Sequence, residues 1–249
     1  MKTSMRKDLF VLVALVGLLA PRELFAKEKE AKDERKEEKA EKADSDDDTL
    51  EDSGLSIGGR AGYALPLGTV AKDPMMGGVT DLSRYASGMV PFTADVGWRV
   101  SRHFYIGGTF TFGIVSTASE VCGGVNGTCS SSANDIRAGA MLKYTFAPDK
   151  KLTPWIGAGG GYEVFNLSRT VGTVSTDNSV KGWELLNANI GLDYRVATHA
   201  TVGPVVGFSL GQYTSLSQSQ STGKSASTDL SQTALHHWFF FGFGGKYDL

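Results

Sequence analysis

The chain has 249 residues, with 25 basic and 27 acidic side chains and a formal net charge of −2. Charge this balanced, with no basic patch interleaved with aromatics, speaks against a nucleic-acid partner. Only two cysteines and four histidines are present, and no group of them has metal-ligand spacing, so no metal or other cofactor is expected.

The first 26 residues carry Lys2, Arg6 and Lys7, then an unbroken apolar run from Leu9 to Ala20, then Pro21 and a small residue at Ala26. A basic start, a short apolar centre and a small residue at the end make a secretory signal peptide. The run is shorter than the roughly 20 residues a spanning helix needs. Residues 27–53 are a charged leader with Leu50 as the only large apolar residue. Such a segment buries too little to offset the entropy of ordering. Opposite charges at helical spacing, Glu28 with Lys32 and Glu38 with Lys42, allow a partly helical or disordered leader that stops at Asp46-Asp47-Asp48.

From Gly54 onward the sequence resolves into eight runs in which apolar and polar residues alternate, the period of a strand. They are Leu55–Leu65, Val90–Val100, Phe104–Val115, Asp135–Phe146, Thr153–Phe165, Trp183–Val196, Thr201–Tyr213 and Leu235–Leu249. The connections alternate in length. Pro66–Ser87, Ser116–Asn134, Asn166–Lys181 and Thr214–Gln232 are long and polar, whereas Ser101–His103, Ala147–Lys151 and Ala197–His199 are short turns. An internal repeat marks the short ends: Gly97-Trp-Arg-Val-Ser-Arg-His-Phe-Tyr-Ile-Gly107 aligns with Asp193-Tyr-Arg-Val-Ala-Thr-His-Ala-Thr-Val-Gly203. Pro91 and Pro204 run against strand character, and each is expected near a strand end.

One face of these runs is aliphatic and aromatic. The other carries Arg60, Asp95, Arg99, Arg137, Lys143, Asp193, Arg195, Lys246 and Asp248. A soluble barrel would turn the apolar face inward and the charges out. A membrane barrel does the reverse, with a polar lumen, an apolar outer band, short periplasmic turns and longer outer connections. Aromatics near both ends of the runs, such as Trp98, Tyr144 and Tyr194 against Tyr63, Phe112 and Phe208, suit two interfacial belts. The fold class is therefore all-β: an eight-stranded antiparallel up-and-down transmembrane β-barrel over residues 54–249. Its partner is the lipid bilayer. The nine charged residues form an expected ion-pair network in the lumen, with Arg60 facing Lys246 or Asp248 across the closure. Cys122 and Cys129, separated by a Gly- and Asn-containing turn, are expected to form a structural disulfide in an exported chain.

This region resembles the small eight-stranded bacterial outer-membrane barrels of the OmpA/OmpX type. That resemblance implies a bacterial outer-membrane location. It also implies that the terminal strand, through Gly244, Tyr247 and Leu249, is the signal read by the barrel assembly machinery. The usual pattern starts on a polar residue and often ends on Phe, where Gly242 and Leu249 stand here.

Fold does not imply function. The expected role is structural or surface-binding, through the long connections, with the lumen closed by ion pairs and no catalysis. One alternative is a narrow channel or an OmpW-like transporter of small or hydrophobic solutes, with Gly157–Gly161 weakening one wall. Another is a lipid-modifying enzyme using His236 or His237 with Ser231, Asp229 or Glu184; the histidine pair reads more simply as an interfacial anchor.

Overall fold

The computed structural model describes residues 53–71, 80–124, 127–230 and 233–249. The expected signal peptide, nearly all of the leader, and Ser231 lie outside these residues.

The described chain forms β1 (Gly54–Ala71), β2 (Thr80–Asp81), β3 (Ala86–Arg99), β4 (Phe104–Thr117), β5 (Cys129–Thr145), β6 (Leu152–Val171), β7 (Val174–Ala197), β8 (Ala200–Gln220), β9 (Ser225–Asp229) and β10 (Leu235–Asp248). Eight of them close into an antiparallel ring in the order β1-β3-β4-β5-β6-β7-β8-β10, since β10 pairs with both β8 and β1. Closure leaves no free edge around the ring, so every strand can carry an apolar outer face.

Side chains alternate as the period of two requires. Phe92, Trp98, Phe104, Phe110, Ile190, Phe241 and Phe243 all face outward and are exposed, Phe243 to 71%. Asp95, Arg99, Asp135, Arg137, Glu163 and Asp193 face inward and are buried. This inversion of a soluble protein is the arrangement of a membrane-spanning barrel. Aromatic contacts mark its two ends. At the short-turn end Tyr144 packs against Phe104 and Phe146, each at a centroid distance of 5.0 Å, and His103 stacks on it. At the other end Tyr162 meets Trp183 at 5.3 Å.

The strands run well past the alternating segments. The stretch Asn166–Lys181, expected as a long connection, is a hairpin of β6 and β7 turning at Gly172-Thr173, with Gly172 at φ +60°. β5, β8 and β9 extend alongside it, so much of the two flanking connections is strand as well. Together they raise a polar wall above the apolar band. Its faces are held by cross-strand bonds between small polar side chains: Asn166 to Asn134 at 2.9 Å, Ser168 to Asp177 at 2.6 Å and Ser217 with Ser227 at 3.1 Å.

Pro91 and Pro204 lie inside β3 and β8, not at their ends. Each sits where one ladder is interrupted. The β1–β3 pairs pass from Ala61–Phe92 to Ala64–Met89, and the β7–β8 pairs from Gly191–Val205 to Tyr194–Val202. A missing N–H is tolerated at such a gap. A bulge in β7 between Glu184 and Leu186 has a larger consequence. Leu185 and Leu186 are both exposed, and the strand changes phase there. Glu184, which the phase of Leu186, Ala188 and Ile190 would place on the apolar face, turns into the lumen.

The mouth opposite the short turns is closed by an apolar cap. Short 3-10 turns at Leu82–Arg84 and Ser119–Val121 carry Leu82 and Val121 inward, where they join Val70, Val115, Phe165, Leu167, Val180 and Leu230. Leu82 is fully buried. The Cys122–Cys129 disulfide, with Cα atoms 5.8 Å apart, ties the second turn to the start of β5.

Candidate functional site

An eight-stranded ring is just wide enough for inward side chains to fill it. Here they form two charged tiers below the apolar cap. The tier nearer the cap is built on Arg137 of β5. Its Nε and Nη2 donate to the two carboxylate oxygens of Asp135 at 3.0 and 2.8 Å, a bidentate pair. Nη2 also lies 3.3 Å from Glu163, and Nη1 donates to Glu184 at 3.3 Å and to the Ser209 hydroxyl at 3.1 Å. Ser209 and Asn187 donate to the same Glu184 oxygen, at 2.6 and 2.8 Å.

Glu163 has further partners. The Tyr213 hydroxyl donates to one of its oxygens at 3.0 Å, and His236 Nε2 lies 2.9 Å from the other. The His236 ring stacks on Tyr213 with centroids 4.0 Å apart. Gly211 makes this approach achievable, because a Cβ there would come within 2.5 Å of His236 Nε2 and 2.7 Å of Glu163 Oε2. Asp135, Glu163 and His236 are all fully buried. Buried charge is tolerated only when paired and hydrogen-bonded, and each of these carboxylates has such partners.

The tier nearer the short turns is a set of separate pairs. Arg60 grips Asp95 bidentately at 3.0 and 2.9 Å. Arg99 and Lys246 share one oxygen of Asp248, at 3.3 and 3.1 Å. Lys143 pairs with Asp193 at 3.2 Å, and its ammonium lies 3.8 Å from the centroid of the Trp155 ring. Trp155 Nε1 donates to Asp193 at 2.8 Å. Among the described residues the lumen holds small cavities of about 50 Å³ in this tier and about 40 Å³ beside Trp238 and Asn189, with Arg60 lining both. A single water takes up about 10–15 Å³ by the same measure, so each has room for a few waters and not for an organic solute.

The lumen thus gathers eight of the nine charged residues picked out by alternation into ion pairs, but with different partners. Arg60 faces Asp95 on the neighbouring strand instead of Lys246 or Asp248, because the ring is staggered and Arg60 stands opposite Thr93 on one side and Gly244 on the other. Arg195 has no carboxylate partner among the described residues and donates to the Pro148 carbonyl in the turn below. Asp135, Glu163, Glu184, Tyr213, His236 and the inward Trp155 and Trp238 join the lumen in addition to those nine. Glu163 lies in a Gly-rich run of indecisive phase, Glu184 changes face at the bulge, and His236 is a lumen residue, not an interfacial anchor. His237 alone faces outward, stacked on Phe208. Gly244 faces the lumen, while Tyr247 and Leu249 are exposed at the short-turn end.

No protein-family model matches the chain, and a search of curated proteins finds no match. Among solved structures, a major outer membrane protein from Thermus thermophilus is similar at a TM-score of 0.50 with 11% identity, covering 79% of this chain and 99% of that one. The outer membrane protein OprG from Pseudomonas aeruginosa matches at 0.47 with 14% identity over 80% and 98% of the two chains. Neisserial surface protein A matches at 0.47 with 12% identity over 79% and 99%. At such identities the likeness concerns fold alone: the chain has the fold of the bacterial outer-membrane β-barrels.

Proposed function

We propose that this protein is an integral outer-membrane barrel with a closed lumen, and that its function is carried by the strand-built wall standing above the apolar band. The carrying observation is the double closure of the lumen. The apolar cap centred on Leu82 covers the outer mouth, and the Arg137 cluster crosses the barrel beneath it. A conducting pore needs a continuous wet path, and two cavities of at most about 50 Å³ are a poor substitute. The outer wall presents Ser, Thr, Asn and Gln on a rigid scaffold, which suits recognition. A non-catalytic role is supported by the setting of His236, which is fully buried and held by Glu163 and Tyr213. In this reading the end of β10, with Tyr247 and Leu249 on its outer face and Gly244 on the lumen side, is what the assembly machinery engages. The test is single-channel recording in planar bilayers. No stable steps are expected from the full chain, and reproducible steps would overturn the proposal.

One observation favours a second reading, a lateral route for hydrophobic solutes. The β1–β3 ladder lacks pairs beside Pro91, and an open apolar hollow lined by Phe92, Phe110 and Phe243, with Arg60 among its lining residues, lies on that flank. By contrast, the Gly157–Gly161 wall is paired to β5 without a break and is interrupted only toward β7. Uptake of a hydrophobic dye into proteoliposomes that falls on cross-linking β1 to β3 would establish this route in place of the first.

A further inference from the structure

We propose that the Arg137 tier holds one proton on the carboxyl groups of Asp135 and Glu163, and that this proton makes closure of the lumen dependent on pH. The first ground is a charge census of the tier. β5 supplies Asp135 and Arg137, β6 Glu163, β7 Glu184, β8 the Tyr213 phenol and β10 the His236 imidazole. Arg60 of β1 is held bidentately by Asp95, and on the side of β3 and β4 Asp135 meets Met89 and Gly113. Among the described residues these six side chains make no other ionic contact. Three carboxylates therefore face one guanidinium. Fully ionised, the tier has two negative charges in surplus, and a charged His236 would offset only one of them.

The second ground is geometric. Asp135 and Glu163 have no exposed surface, so water does not screen the surplus. A buried group left with uncompensated charge is neutralised by a proton. Glu184 accepts from Arg137, Ser209 and Asn187, three donors that hold it as the carboxylate. Asp135 Oδ2 and Glu163 Oε1, by contrast, are drawn to one nitrogen, Arg137 Nη2, at 2.8 and 3.3 Å. Two acids brought this close share a proton, because both cannot carry charge. Losing it leaves like charges side by side, and the tier then relaxes only by admitting water or a cation. The unfolded chain releases its carboxyl protons above about pH 4. The folded chain thus binds one proton more. Between that point and the pH at which the proton leaves, this contribution to stability falls by about tenfold in the folding equilibrium per pH unit.

The test uses the full chain refolded in a detergent free of ester groups. Infrared difference spectra should show the C=O band of a protonated carboxyl in the folded wild type at neutral pH. The band should vanish in Asp135→Asn and in Glu163→Gln, and persist in Asp149→Asn on the exposed turn. Asparagine reproduces the shape of the protonated acid. Asp135→Asn should therefore lie within about threefold of the wild type in the folding equilibrium at neutral pH, read by urea unfolding, and should lose the decline of about tenfold per pH unit. Absence of the band from the folded wild type overturns the proposal and requires no variant to fold. A loss of about two decades or more at neutral pH in Asp135→Asn overturns it as well, since that is the cost of breaking a fully ionised buried pair. The proposal rests on the closed-lumen reading, yet the two fail separately: conductance steps at neutral pH refute closure, whereas the band reports the proton alone.

Discussion

Replacing Arg137 with leucine removes the one cation shared by Asp135, Glu163 and Glu184. The side chain makes four hydrogen bonds of 2.8–3.3 Å and an additional 3.3 Å ion contact, all in the buried lumen. Deleting one partner of a buried ion pair costs about 3–5 kcal/mol, because the other charge is left uncompensated. Three carboxylates lose their partner here, and His236 still attends Glu163, so the upper part of that range is expected. At about 1.4 kcal/mol per decade this is roughly three decades in the folding equilibrium. The assay is urea unfolding in phosphatidylcholine vesicles, read by tryptophan fluorescence and by heat-modifiable migration. Adding Glu163→Gln and Glu184→Gln to the leucine variant should recover a large part of the loss, since it removes the stranded charges. A loss below about 1 kcal/mol, the range of exposed pairs, would refute the reasoning, because it would mean that water reaches the cluster and the lumen is not closed at this level.

Gly211→Ala would place a methyl within 2.5 Å of the His236 ring; a destabilisation of about 1–3 kcal/mol is expected from overpacking in the same unfolding assay. Reduction of the Cys122–Cys129 disulfide should cost up to about 2.5 kcal/mol in the loop-entropy account, with faster amide hydrogen exchange confined to the Ser119–Val121 turn and the start of β5. Phe110→Arg places a charge on the exposed apolar band and should cost about 2–4 kcal/mol if it falls near the bilayer midplane, whereas Ser217→Arg in the polar wall should be near neutral by the same measurement.

Residues 54–249 made their class legible because two patterns coincide in them. Alternation of period two assigns faces strand by strand, and the placement of Asp95, Arg99, Arg137 and Asp193 on the non-aromatic face tells which side must be lumen. Both follow from local geometry and the cost of burying charge, and neither depends on knowing any partner strand. The upper wall was illegible for the same reason: in Asn166–Lys181 apolar residues are sparse, with Leu167 and Val180 turned to the cap, so there is too little alternation to read, and only pairing with β5 and β8 makes strands of it. Partner choice in the lumen also lay beyond the sequence. Arg60 meets Asp95, and Asp248 serves two cations, because the stagger of a closed ring sets which inward side chains share a height. Glu184 reaches Arg137 through one extra residue at Leu185, whose effect on the face is decided by the bulge and not by composition. The cap over the mouth needed the most assembly, since Leu82, Val121 and Phe165 are ordinary apolar residues singly and become a lid only when the ring brings their segments over one opening.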